Sequence, residues 1–179
     1  MVIQIAITGG KGGTGKSFVA TNLAILLSID RDVVLADLDL EAPNDHIILG
    51  IESLENEEPI KIFMPFIDIT KCRLCKICSR VCTSGAILVP TKGYPIVFPR
   101  LCSGCSVCLY ACPYNAIKSG ARVVGYSYVT KVPKYSSRLT LVTGILREGE
   151  EHVPPAVVVV KKRALDIVKD ILLIDTGAG

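Results

Sequence analysis

"ITGGKGGTGKS", residues Ile7–Ser17, is the stretch whose reading decides the fold. From Gly10 to Ser17 it fits the pattern G-x-x-x-x-G-K-[ST] at every position. Before it, "VIQIAIT" (2–8) is a short run rich in β-branched residues, expected to form a buried strand. After it, "KSFVATNLAILLSI" repeats apolar residues at helical spacing, which predicts a helix over 16–29. "DVVLADLDL" (32–40) reads as a second buried strand that ends in two aspartates. Strand, Gly-rich loop, helix and strand make the βαβ unit of a parallel sheet. In that setting the glycines let the backbone curl until its N–H groups point at phosphate oxygens, and the helix N-terminus adds its dipole. Lys16 is placed to reach β- and γ-phosphates, and the Ser17 hydroxyl to ligate Mg²⁺.

The middle of the chain is of a different kind. All eight cysteines fall into two runs, Cys72-x2-Cys75-x2-Cys78-x3-Cys82 and Cys102-x2-Cys105-x2-Cys108-x3-Cys112. The runs are offset by thirty residues and end alike, in "SGAI" (84–87) and "YNAI" (114–117), so the segment is an internal duplication. The spacing is that of a bacterial ferredoxin with two [4Fe–4S] clusters, in which the fourth cysteine of each run ligates the other cluster. Cys72, Cys75, Cys78 and Cys112 are expected to hold one cluster, and Cys102, Cys105, Cys108 and Cys82 the second. Zinc is the main alternative, but a Cys₄ zinc site leaves four cysteines without a use. A disulfide framework needs an oxidising compartment that nothing in the sequence indicates. The first run departs from the pattern at Thr83, where proline follows the second run as Pro113. It also carries Lys71, Arg73, Lys76 and Arg80, against Arg100 alone beside the second. That difference leads to the expectation that the cluster of Cys72, Cys75 and Cys78 has the higher potential, with simple solvated charge as the alternative. Tyr94, Phe98, Tyr110 and Tyr114 are expected to pack around the clusters, and His46 and His152 to lie on the surface or in loops.

Composition bounds the remaining classes. Half of the 179 residues are apolar and about a fifth are charged, as in globular chains. A net charge of +3 without a basic face or an aromatic run does not suggest nucleic-acid binding. Lys161-Lys162-Arg163 is expected at the solvated end of a helix. No apolar run reaches the length of a membrane span, and "MVIQIAITGG" has no signal-peptide character, so a cytoplasmic setting is expected. Residues 41–62 are polar and acidic and read as a solvated loop or short helix. Strands are expected at 123–132, 139–146 and 171–175, with a helix at 154–168 led by Pro154-Pro155. The α/β pattern is thus interrupted and resumed. The expected organisation is 1–62 as the first part of a phosphate-loop domain, 63–118 as an inserted small α+β ferredoxin domain, and 119–179 as the continuation of the first.

With Lys11 opening "KGGTGKS", the loop resembles the deviant Walker A of the MinD/ParA ATPases, and the whole chain resembles members with an inserted two-cluster ferredoxin domain. "LADLDLEAPN" is similar to that family's second-strand motif, and "DILLIDTGAG" to its Walker B strand, with Asp-Thr-Gly-Ala-Gly in place of the commoner D-T-P-P-G. The resemblance implies an ATP and Mg²⁺ site formed by Gly10, Lys11, Gly12, Gly13, Thr14, Gly15, Lys16, Ser17 and Phe18. It implies that Lys11 reaches the nucleotide of a second copy in a nucleotide-dependent homodimer. Ser17, Asp37 and Asp175 serve the Mg²⁺ shell, Asp39 positions the attacking water, and Lys11, Lys16 and Asp39 are the catalytic set. Gly177 and Gly179 give a flexible switch, and the family's later strands fall beyond Gly179, leaving a parallel sheet incomplete at that end. Three functions fit: nucleotide-gated electron transfer to a redox partner protein, an iron–sulfur carrier or maturation ATPase, and a positioning ATPase with structural or sensing clusters. The sequence shows no membrane segment and predicts no nucleic-acid partner.

Overall fold

The computed structural model describes residues 1–150 and 153–177. The chain divides into two compact units, Met1–Ile60 with Val124–Gly179, and Lys61–Val123.

In the first unit, β1 (Ile3–Ile7) leads through the Gly-rich loop into α1 (Lys16–Leu27), and then into β2 (Val33–Asp37). A short helix, α2 (Asp45–Ile48), follows the second strand. Later come β7 (Leu139–Leu146), α5 (Val153–Ile167) and β8 (Ile171–Asp175). The sheet runs in the order β1-β8-β2-β7-β6-β3, where β3 is Glu58–Ile67 and β6 is Ile117–Lys131; both cross from one unit into the other. β8 pairs in parallel with β1 and β2, and β2 with β7, so the ends of β1, β2 and β8 share one edge at Ile7, Asp37 and Asp175. β6 turns back antiparallel on β7, from Gly125 opposite Leu146 to Lys131 opposite Thr140. Strands with partners on both sides need two apolar faces, and β2 and β8 are buried at all five positions. Ala20 and Ala24 of α1 pack with Val33, Leu35, Leu141 and Leu173 in this unit's core.

β1 is not a buried strand: it pairs with β8 alone, and Ile3 stays 50% exposed. The basic triplet does not end a helix, because α5 continues to Ile167. Arg163 instead turns inward, donating to the Ser127 carbonyl and Oγ at 2.6 and 2.8 Å, to the Asn56 carbonyl, and pairing with Glu58 at 3.2 Å. The 41–62 segment contains α2, as the expected loop or short helix allows, and also opens β3, which that expectation does not include.

The second unit is built on its duplication. α3 (Ile77–Arg80) and α4 (Val107–Ala111) follow the second cysteine of each run, and β4 (Ile87–Leu88) pairs antiparallel with β5 (Ile96–Val97). Left-handed residues recur at the thirty-residue offset: Leu74 with Gly104, Lys76 with Ser106, Gly85 with Asn115. The apolar core is small, with Ile87, Ile117 and Cys108 buried and Phe63, Ile67, Val97 and Leu109 against them. Tyr94, Phe98, Tyr110 and Tyr114 are all exposed, Tyr110 at 85%, and of the four Tyr114 lies against Cys72, Cys75, Cys78 and Cys112, while the buried packing is mainly aliphatic. No helix among the described residues is long and apolar enough to cross a membrane.

Candidate functional site

The loop of Gly10–Ser17 is held open by its own backbone. Gly13 and Gly15 have φ of 75° and 82°, a region costly for any residue with a Cβ. Gly15 sits just before α1, so the first N–H groups of that helix face the loop. The Thr14 hydroxyl and the Lys16 ammonium both reach the Lys11 carbonyl, at 3.2 and 3.4 Å. The Lys16 amine therefore folds back over the curl instead of pointing away. An open cleft of about 660 Å³ lies between Thr8, Gly9 and Gly10 on one side and Thr176 and Gly177 on the other. Thr176 ties the cleft's floor together, its N–H and hydroxyl meeting the Ile7 carbonyl at 3.3 and 3.0 Å. Lys11 and Phe18 are exposed.

Beneath the loop the strand ends bring carboxylates together. Asp37 accepts from the backbone N–H of Asp39 at 3.1 Å and of Asp45 at 3.3 Å, with the Thr143 hydroxyl at 3.4 Å. Burial outweighs these donors and pushes Asp37 up to about 7, with Asp175 and Asp39 adding repulsion. Asp175 is also raised by burial, against the pull of the nearby Ser17 hydroxyl and Lys16 ammonium. Asp39 turns back on its own loop, its carboxylate accepting from the Ala42 N–H at 3.3 Å, and lies against Gly177. Lys16, Ser17, Asp37, Asp39 and Asp175 thus gather at one end of the sheet. No three of the described ligand-type side chains converge tightly enough to hold an ion alone. The hydroxyl of Ser17 and the carboxylates are hard oxygen donors, the kind that Mg²⁺ takes together with waters and substrate phosphates.

Asp45 is the residue the sequence reading missed. It is fully buried at the start of α2, both of its oxygens lack a hydrogen-bond donor, and burial beside Asp37 and Asp175 raises it to about 9. An aspartate in a first helical turn reads from sequence as a surface partner for the helix dipole. Only the register of α2 against the end of β2 reveals its burial. His46 beside it is half-buried on α2, with Nδ1 shielded from solvent, rather than a surface residue. His152 lies outside the described residues.

In the second unit the thiols line two cavities. One, of about 370 Å³, is lined by Cys72, Cys75, Cys78 and Cys112. The other, of about 300 Å³, is lined by Cys82, Cys102, Cys105 and Cys108. Each takes three cysteines from one run and the last cysteine of the other. The left-handed residues between the closely spaced cysteines curl each run around its cavity. Burial raises Cys78, and raises Cys108 to about 11, with the other thiols of the same cavity adding repulsion. Burial would raise Cys82 too, but the Ser84 hydroxyl and the N–H groups of Ala86, Ile87 and Ser84 outweigh it and hold the thiol below its ordinary value. Cys112 accepts from the Ala116 N–H at 3.3 Å. The closing cysteine of each cavity is thus already supplied with a donor.

A family profile described as the CobQ/CobB/MinD/ParA nucleotide-binding domain matches residues 5–175. The chain belongs to this family. It is a MinD/ParA-type P-loop ATPase domain by family, with an α/β sheet that is parallel over four strands. An uncharacterized protein of Methanocaldococcus jannaschii is 33% identical over 177 residues, covering 98% of this chain and 61% of that protein. The MinD/ParA-type chain therefore spans only about three-fifths of that relative's length. The septum site-determining protein MinD of Helicobacter pylori is 46% identical over 54 residues, 30% of this chain and 20% of MinD. The electron transport protein HydN of Escherichia coli is 42% identical over 57 residues, 31% of this chain and 32% of HydN.

Proposed function

We propose that this chain couples binding and hydrolysis of ATP to electron transfer through two [4Fe–4S] clusters, held in the second unit as an inserted ferredoxin-type domain. The pair of thiol cavities carries this reading. A four-iron cube takes one thiolate on each iron, so four thiols spread around one space suit it better than four thiols converging on a single ion. Cys72, Cys75, Cys78 and Cys112 would hold one cluster, and Cys102, Cys105, Cys108 and Cys82 the other. When bound, such clusters supply one-electron transfer. The likeness to HydN, by name an electron transport protein, supports the same reading.

In the first unit Gly10–Ser17 would hold the phosphates, with Lys16 neutralising charge on them. Ser17, Asp37 and Asp175 would fix Mg²⁺ and its waters, and Asp39 would orient the attacking water. Lys11, exposed on the loop, would reach the nucleotide of a second copy in a nucleotide-dependent homodimer. Asp39 and Gly177 lie side by side, so a γ-phosphate that orders one segment orders the other. The setting is cytoplasmic, where thiols stay reduced and available.

An anaerobic redox titration followed by EPR, with and without Mg-ATP on the full-length protein, tests the coupling. A midpoint potential that moves with nucleotide is the expected result, and reciprocity then requires ATP affinity to depend on redox state. Unchanged potentials in a protein shown to bind ATP would remove the coupling.

A further inference from the structure

The charge of the molecule is segregated in a way its net value of +3 hides. Residues 61–123 hold nine lysines and arginines against one acid, Asp68, a formal +8 that leaves the rest of the chain at −5. Four thiolates around each cube would add about −2 per cavity, and the unit would still stand at about +4. The positive charge is also uneven within the unit. Arg73 and Lys76 line the first thiol cavity, and the Arg80 guanidinium lies 3.4 Å from the Cys75 carbonyl beside it. Among the described residues, no charged side chain lines the second cavity. Next to the first cavity, sharing Ile117 with it, is an open depression of about 950 Å³ lined by Lys71, Lys118 and Tyr110. Exposed Leu74 and Tyr114 stand at the cavity itself.

We propose that this face, around Cys72, Cys75, Cys78 and Cys112, docks an acidic electron-carrier protein. The proposal rests on the cluster reading above. Apolar and aromatic side chains set among cations match the centre and rim of a protein interface. Complementary charge steers a small acidic carrier to the first cavity rather than the second. A nucleic acid fits less well. The helices of this unit have four and five residues, too short to enter a groove, and the cations gather at a cavity mouth rather than along a track.

Full-length protein, prepared anaerobically with its iron counted and its visible absorption recorded, is titrated by calorimetry with a flavodoxin as the acidic probe. Basic cytochrome c and a short DNA duplex serve as counter-probes. Flavodoxin affinity is expected to fall at least about tenfold between about 0.05 and 0.3 M salt. Lys71→Glu with Lys118→Glu is expected to weaken it at least about tenfold at low salt while leaving iron content and absorption unchanged. Lys118→Glu alone, at an exposed strand position, serves if the double variant does not fold. Salt-insensitive binding, equal binding by the variants, or equal affinity for cytochrome c overturns the proposal. Tighter binding of the duplex than of flavodoxin overturns it in favour of a nucleic-acid partner. A full-length protein without iron and visible absorption sinks the cluster reading and this proposal with it, whereas salt-insensitive binding by an iron-loaded protein sinks this proposal alone.

Discussion

Asp37, Asp45 and Asp175 are buried carboxyls, Asp45 with no donor to either oxygen and Asp175 with none to Oδ1, and this gives the nucleotide unit an unusual response to pH. Each is raised from an ordinary value of 3.8, Asp37 to about 7 and Asp45 to about 9. The folded state therefore holds protons that the unfolded chain releases. Stability contributed by Asp37 and Asp45 is fully present below pH 3.8 and is lost as pH rises, through about 7 for Asp37 and about 9 for Asp45, at up to about 1.4 kcal/mol per pH unit for each of the two. Urea midpoints without nucleotide should fall across that window, and Asp45→Asn should flatten the fall. A midpoint that rises over the same range would contradict the burial of these carboxyls. In the second unit, Gly104 holds φ 73°, and an added Cβ there would also touch Ile62 at 3.4 Å. Gly104→Ala should cost about 1 kcal/mol, measured by the same denaturation. Its repeat counterpart Leu74 already carries a side chain at φ 55°, so the duplicated loop tolerates that strain once.

Among the elements, β7 and α5 approach so closely that only glycine fits between them. A Cβ on Gly144 would lie 2.7 Å from Val160 Cγ2 and 3.1 Å from Leu40, so Gly144→Ala should destabilise by about 1–3 kcal/mol. Arg163→Ala removes several donors from Ser127 and Asn56 and should cost about 2–3 kcal/mol, read as a lowered midpoint. Cys112 tests the crossed arrangement. If clusters fill the cavities as proposed, Cys112→Ala should alter the EPR signal of the one at Cys72, Cys75 and Cys78, and leave that of its own run closer to wild type. The reverse pattern would refute the crossed assignment. The phosphate loop and the strands at 139–146 and 171–175 were legible in the sequence because turn chemistry and apolar runs are local signals. β3 was not, because Pro59 and Pro65 argue against a strand, yet an edge strand paired on one side tolerates proline. Arg163 was misread because charge in a helix signals solvent unless the backbone acceptors it meets are known. Asp45 was hidden for the same reason: its burial depends on tertiary register, which no local pattern encodes.

Taken whole, the molecule joins a unit with a broad apolar core to one whose apolar cluster is far smaller. The small unit should depend on its bound group for much of its stability. Scanning calorimetry of loaded protein should show two transitions, and removing iron with a chelator should abolish one while leaving the other within a few degrees. A single transition unaffected by chelation would mean that the thiols do not support the fold. The crossed thiol cavities have a further consequence. A thirty-residue half has three of its four cysteines on one cavity and the fourth on its neighbour's, so alone it could complete neither without meeting a second copy. The β4–β5 hairpin, lying between Cys82 and Cys102, removes that dependence on encounter. It holds each closing thiol near its target at an effective concentration on the order of millimolar, whatever the abundance of the protein. Assembly of both cavities thereby becomes a property of one chain and does not weaken on dilution.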